Sequence, residues 1–354
     1  MAEKITVVVA DDSAFMRHVV SEMLQSDDRI QVIGTARDGL DVLEKTKTLR
    51  PDVVTLDVEM PRMDGLEALR RIMDECPTRV VMFSSFTQRH ARETIRALSM
   101  GAFDFVPKPT TGGILEINAL RHELVTKVVA AAQSRLRPAP VRRPEPRAPD
   151  KKPEGVESAR AVVVIGSSTG GPSALQEVLS GLSPGMEAGI LLVQHMPPGF
   201  TRSLAERLND ISPLEVREAK GGEAVSRGWA IMAPGGFHMT LQGSREIVLT
   251  TDPPRHGVRP SVDVTMEAAA AAFGANCVGV VLTGMGLDGS QGCSAIKARG
   301  GKVIAEHEST CVVYGMPRAV IEMGYADEVR PIDRMAEAIR EAVESLPRGG
   351  TAAG

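Results

Sequence analysis

Three residue types that together make an acyl-transfer catalyst each stand behind an apolar run in the second half of the chain. Ser168 lies in Gly166-Ser-Ser-Thr-Gly170 after Ala161-Val-Val-Val-Ile165, His195 follows Ile190-Leu-Leu-Val-Gln194, and Asp288 lies in Leu282-Thr-Gly-Met-Gly-Leu-Asp-Gly289. A serine hydroxyl is a weak nucleophile until a neighbouring base takes its proton, and a carboxylate holds that imidazole in one tautomer. Gly-x-Ser-x-Gly is the spacing of a nucleophile on a tight strand-to-helix turn, where N–H groups at the helix start can face a developing oxyanion. The glycine loop alone serves equally well as a phosphate cradle, although it has neither the Gly-x-Gly-x-x-Gly spacing nor a Walker lysine. His238 and His256, near Gly- or Pro-rich turns, are rival bases. Loop packing accounts for His195 alone and helix capping for Asp288 alone. Taken jointly, three such residues at the carboxyl ends of parallel strands point to one crevice.

A second constellation lies in the first half. Asp11 and Asp12 follow Ile5-Thr-Val-Val-Val-Ala10, and Asp57 follows Val53-Val-Thr-Leu56. Capping needs only one of these acids, whereas three oxygen ligands suit a hard cation such as Mg²⁺. Ser84 and Lys108 come after two further apolar runs. A phosphoryl group on such a carboxylate adds about −1.5 to −2 charge and three acceptors, enough to draw in a hydroxyl and a lysine.

The elements that must position these groups alternate between strand and helix. In the first half, apolar runs at 5–10, 31–34, 52–56, 79–83 and 102–106 read as strands with helical stretches between them. In the second half, strands are expected at 161–165, 189–194, 229–233, 246–250, 277–283 and 301–305, and helices at 172–182, 201–208, 261–273, 288–299 and 317–323. The fold class is therefore α/β with two doubly wound domains. The first is a (βα)5 flavodoxin-like unit over 1–127; the second is a Rossmann-like parallel sheet over 158–347 with a small antiparallel addition around 229–250. Between them, 128–157 is rich in proline from Pro138 onward and reads as a solubilising tether, and 348–354 as a disordered tail.

The 354 residues, 43% hydrophobic and 24% charged, suit two globular domains, and the net charge of −4 gives no reason to expect nucleic-acid binding. The basic residues of the tether have prolines between them and no aromatics. No basic recognition helix appears in the second half, so a DNA-binding output lacks support. No signal-like or membrane-length apolar run is present, so the expected location is the cytoplasm. The four cysteines show neither metal spacing nor a disulfide framework and read as structural thiols.

The first half resembles the receiver domains of bacterial two-component response regulators, through Val9-Ala-Asp-Asp-Ser13, Leu56-Asp-Val-Glu-Met-Pro-Arg-Met-Asp-Gly65, Phe83-Ser-Ser85 and Phe105-Val-Pro-Lys-Pro109. The resemblance implies phosphorylation on Asp57, with Mg²⁺ held by Asp11, Asp12, Asp57 and the Glu59 carbonyl. Ser84 and Lys108 would grip the phosphoryl oxygens, and Phe105 would be the switch aromatic. The second half is similar to the catalytic domain of chemotaxis-type (CheB-type) protein-glutamate methylesterases. That similarity rests on Ile165-Gly-Ser-Ser-Thr-Gly-Gly171, Gln194-His-Met-Pro197, Ala233-Pro-Gly-Gly236, Arg259-Pro-Ser-Val-Asp263 and Leu282–Gly289. The sequence departs from that pattern at Ser167, where alanine is usual, and at Leu287, where a polar residue is frequent.

The chain order Ser, His, Asp differs from that of the α/β-hydrolases. The resemblance implies Ser168 as nucleophile, His195 as base and then acid, and Asp288 as its orienter. Thr169 would support His195, and main chain near Met285 would help bind the oxyanion. Ser261 is read only as the N-cap of its helix. The implied activity is hydrolysis of glutamate γ-methyl esters on chemoreceptors, with deamidation of receptor glutamines and no cofactor for the esterase step. The implied partners are methyl-accepting chemoreceptors and a histidine kinase as phosphodonor, with peripheral membrane contact only through the receptors. Before phosphorylation the first domain is expected to cover the Ser168 crevice. The competing function is a response regulator whose second domain binds a nucleotide or a receptor without hydrolysis.

Overall fold

The computed structural model describes residues 3–85, 87–108, 114–134, 157–243 and 245–347. The chain divides into two compact units, Met1–Arg142 and Arg143–Gly354. Most of the expected tether (135–156) and the expected tail (348–354) lie outside the described residues.

In the first unit, strands and helices alternate as β1 (Ile5–Ala10), α1 (Ala14–Gln25), β2 (Ile30–Ala36), α2 (Gly39–Leu49), β3 (Val53–Asp57), α3 (Gly65–Glu75), β4 (Arg79–Ser84), α4 (Gln88–Ser99), β5 (Asp104–Pro107) and α5 (Ile114–Gln133). The sheet order is β2-β1-β3-β4-β5, all parallel. Its central strands are β-branched and buried on both faces: Val7, Val8, Val53, Val54, Val80 and Val81 are all fully inaccessible. Ser13, Asp38, Asp64 and Thr87 accept main-chain N–H groups at the starts of α1 to α4, and each such cap contributes about 1 kcal/mol. The strand order reverses between β1 and β3, so the carboxyl ends that carry Asp11 and Asp57 adjoin a crevice.

In the second unit the elements are β6 (Ala161–Ser167), α6 (Gly171–Ser180), β7 (Ala188–Gln194), α7 (Phe200–Ile211), β8 (Glu215–Glu218), β9 (Trp229–Met232), β10 (His238–Gln242), β11 (Glu246–Thr250), α8 (Val262–Phe273), β12 (Cys277–Val281), α9 (Ser290–Ala298), β13 (Lys302–Glu306), α10 (Met316–Glu322), β14 (Glu328–Arg330) and α11 (Ile332–Glu344). Seven parallel strands run in the order β14-β13-β12-β6-β7-β9-β8, and β10 with β11 forms a separate antiparallel pair. The antiparallel addition is thus narrower than the expected 229–250, because β9 pairs in parallel with both β7 and β8. Central strand β6 is buried along its whole length; truncating one of its large side chains, as in Ile165→Ala, would cost about 2–5 kcal/mol. Since β6 lies between β12 and β7, the loops after these three strands meet at the point where the strand order reverses. Among the described residues, no helix is long and apolar enough to cross a membrane.

Candidate active site

The residue after β6 is Ser168, and the chain turns there at once. Its N–H donates to the Thr283 carbonyl at 3.1 Å and its carbonyl accepts from Gly171 N–H at 2.8 Å. The turn ends on Gly170, the N-cap of α6, whose φ of +79° a side chain would strain. Gly284 permits the next contact: a Cβ there would sit 2.8 Å from Ser168 Cβ. Main chain at Gly284 therefore lies against the serine because residue 284 has no side chain.

Parallel pairing of β6 with β7 ends with Ser167 opposite Gln194, and His195 N–H donates to Ser167 O at 3.1 Å. The two strand ends hence set His195 beside the serine turn. His195 Nε2 lies 2.7 Å from Asp288 Oδ2, and both side chains are almost fully buried. Asp288 does not cap α9, the helix that follows it in sequence; Gly289 is the N-cap there. It closes the start of α8 instead, accepting from Ser261 Oγ (2.8 Å), Val262 N–H (2.7 Å) and Asp263 N–H (3.0 Å). Burial pushes its carboxyl up, but the His195 hydrogen bond and charge and the N–H groups of Asp263 and Val262 more than offset this and hold it at about 2. An anchored carboxylate of that kind fixes an imidazole and stabilises its protonated form.

The other expected residues are also placed. Thr169 is buried, and its carbonyl accepts from Thr283 Oγ1 at 3.0 Å. Met285 is half-buried on the loop after β12. The rival bases stand one layer back. His238 is buried, with Nδ1 accepting the Ser261 N–H at 3.2 Å, and His256 Nε2 lies 2.9 Å from Asp263 Oδ2. Free thiols Cys277 and Cys293 are buried, and burial pushes Cys277 up to about 12, which suits packing and not nucleophilic chemistry.

Several supporting contacts carry no expectation from the sequence. Ser167 Oγ donates to Gln194 Oε1 at 2.7 Å, and Gln194 Nε2 donates to Ser168 O at 2.9 Å, so a buried amide ties the serine turn to β7. Glu306, fully buried, accepts the Thr283 N–H at 2.8 Å and so steadies the loop entering Gly284. Ser261 both caps α8 and donates to Asp288. The signal for it is the Arg259–Asp263 stretch, where a cap and an acid stand two residues apart at a helix start.

In the first unit, Asp11 and Asp57 are buried while Asp12 is exposed, and one oxygen of each lies within 4.8 Å of the others. Lys108 Nζ lies 2.8 Å from both Asp11 Oδ2 and Asp57 Oδ2. Burial pushes the Asp57 carboxyl up to about 6, against the charge and hydrogen bond of Lys108, with Asp11 adding to the push. A site with more carboxylate charge than one lysine balances fits a divalent cation. Glu59 N–H faces Asp57 Oδ1 at 3.4 Å, and the Glu59 side chain meets His90 Nε2 at 2.7 Å. Ser84 is buried at the end of β4, its hydroxyl accepting from Thr94 Oγ1 at 2.8 Å. Phe105 is buried in β5, with the Lys127 ammonium 5.2 Å from its ring centre.

Residues 163–339 match the CheB methylesterase family, and residues 7–117 match the response regulator receiver domain family. A protein-glutamate methylesterase/protein-glutamine glutaminase of Symbiobacterium thermophilum is 51% identical over 352 residues, covering 96% of this chain and 97% of that protein. One of the same name from Pyrococcus abyssi is 47% identical, covering 98% and 96%. Among solved structures, the Thermotoga maritima CheB methylesterase catalytic domain is similar at 47% identity, with a TM-score of 0.50 over 51% of this chain and 97% of that one.

Proposed function

The chain belongs to the CheB methylesterase family, with a response regulator receiver domain ahead of the catalytic part, and we propose that Ser168, His195 and Asp288 are its catalytic triad. It is a protein-glutamate methylesterase/protein-glutamine glutaminase, a hydrolase and response regulator of chemotaxis-type adaptation. The observation that carries the assignment of residues is the short His195–Asp288 bond, clamped by the start of α8, at the strand end paired with the serine turn.

With Nε2 turned to Asp288, the other ring nitrogen, Nδ1, takes the Ser168 proton as Oγ attacks the substrate's side-chain carbonyl carbon. The tetrahedral oxyanion is bound by main chain near Met285 and the start of α6, and Thr169 supports the imidazole. As the intermediate collapses, His195 returns the proton to the leaving group, methanol from an ester or ammonia from an amide. Water then attacks the acyl-serine with the same histidine as base, releasing glutamate. The substrates are side chains on methyl-accepting receptors.

Phosphorylation of Asp57, with a histidine kinase as donor, controls the rate. When bound, Mg²⁺ would be held by Asp11, Asp12, Asp57 and the Glu59 carbonyl and would neutralise charge on the incoming phosphoryl group. Ser84 and Lys108 bind the phosphoryl oxygens, and Phe105 is the aromatic that responds. The decisive experiment is labelling with a fluorophosphonate followed by peptide mapping. The adduct is expected on Ser168, with no nucleotide retained by the purified chain; a bound nucleotide and an unlabelled Ser168 would overturn the reading.

A further inference from the structure

Behind the His195–Asp288 pair stands a second carboxylate. Asp263, in the first turn of α8, is fully buried. Its Oδ1 accepts from Gly289 N–H (2.9 Å) and Gly292 N–H (2.7 Å), and its Oδ2 accepts from His256 Nε2 (2.9 Å). Its own N–H donates to Asp288 Oδ1. The two acids are exchanged between helices: Asp288, just ahead of α9, closes the start of α8, while Asp263, on α8, closes the start of α9.

Capping alone does not explain this residue. An uncharged asparagine offers the same carbonyl oxygen to the two N–H groups, whereas a second buried carboxylate beside Asp288 carries a desolvation and repulsion cost. Burial and Asp288 both push the Asp263 carboxyl up, against the Gly292 N–H, His256 and Arg255. Its titratable and charged neighbours are drawn from several elements. His256 and Arg255 come from the loop before α8, with Arg255 Nε 3.9 Å from Oδ2; Cys293 comes from α9; and Asp288 carries His195. Arg255 is itself fixed by Glu267, at 2.7 Å, and by Gln291. A half-exposed His–Arg pair thus backs an acid whose other oxygen holds the loop bearing Asp288. Its acceptor positions are met by the N–H donors of Gly289, Gly292 and His256, and Arg255 adds a positive charge close by.

We infer that Asp263 is a positioning residue of the esterase: it fixes the Asp288 loop and sets a second negative charge behind the imidazole that activates Ser168. The inference rests on the triad assignment above.

The test is the rate at which a fluorophosphonate labels Ser168 in the full chain between pH 5 and 9, for the parent and for Asp263→Asn. Labelling of the parent at Ser168 is the check on the triad itself, so its failure is separate from failure of this inference. Removing the charge destabilises the imidazolium that forms on His195 as it activates Ser168. The plateau rate is expected to fall about tenfold, with the acid limb moved to lower pH by about half a unit. A plateau and limb like the parent's would overturn the inference, and so would a slower plateau with the limb unmoved, which is what a purely structural cap gives. His256→Asn covers the case in which Asp263→Asn does not fold. His256 has a φ of +53°, which asparagine tolerates, and the shorter side chain cannot reach Asp263. It is expected to slow labelling about threefold; a rate equal to the parent's would contradict the inference.

Discussion

Asp57 and Asp288 occupy equivalent places in the two units, each buried to within a few per cent at a point where the strand order reverses, yet burial leads to opposite outcomes. The Asp57 carboxyl is pushed up to about 6, because one lysine shared with Asp11 does not balance the desolvated charge. Asp288 is held at about 2 by an imidazole and two N–H groups at a helix start. One carboxylate is left short of positive charge and suits a cation and a phosphoryl group; the other is fully satisfied and stays anionic to hold an imidazole. In the proposed assignment, the two doubly wound units serve as switch and catalyst through the partners of one buried acid each.

The largest effect that would sharpen this contrast is on the catalytic side. Asp288→Asn keeps the shape but loses the charge that orients and stabilises His195, and methanol release should drop about 10³–10⁴-fold. Phosphorylation of Asp57, read by phosphate-affinity electrophoresis, should be unchanged. In the first unit, Asp57→Asn should abolish stimulation by a phosphodonor while leaving the basal esterase rate in place. Tenfold stimulation corresponds to about 1.4 kcal/mol of biased equilibrium, and persisting stimulation would show that the switch lies elsewhere.

Stability should respond with opposite signs. Because the folded Asp57 carboxyl titrates above its unfolded value of 3.8, stability is lost as pH rises from about 4 through about 6. Asp57→Asn should therefore strengthen the first unit at pH 7, in chelator, by roughly 1–2 kcal/mol, and the gain should vanish near pH 4. Asp288 titrates below 3.8, so its contribution is present above about pH 4 and disappears toward pH 2. Asp288→Asn should weaken the second unit at pH 7 by a similar amount. Hydrogen exchange of β3 and β12 amides reads the two separately, and a common sign would break the comparison. The smallest effect is expected at Ser167. Ser167→Ala removes the hydroxyl that orients Gln194 and should cost about 0.5–1.5 kcal/mol of stability, measured as a shift in urea midpoint.

How far the sequence discloses all this depends on whether a residue's role is set by its own strand or by a distant one. Ser168, His195, Asp57 and Asp11 each follow a buried β-branched run, so alternation of strands and helices is enough to place them at carboxyl ends. The direction of β9 was not legible, since Trp229–Met232 is a four-residue run whose pairing with β7 and β8 is decided by the sheet. Strands β8 and β14 are short, charged sheet edges, Glu-Val-Arg-Glu and Glu-Val-Arg, with almost no apolar signal. Helix α11 did carry a signal: Met335, Ala338, Ile339, Ala342 and Val343 repeat at helical spacing and are all buried. The exchange of caps between Asp263 and Asp288 has no local signature, because each acid serves a helix other than the one its sequence position suggests.

The central claim is that Ser168 performs receptor demethylation under the control of Asp57. It is tested most directly by methanol released from receptor membranes carrying radiolabelled methyl groups, with and without a small-molecule phosphodonor, for the parent and for Ser168→Ala. The parent should release methanol faster with the phosphodonor, and Ser168→Ala should release none above background in either condition. Full release by Ser168→Ala would contradict the account.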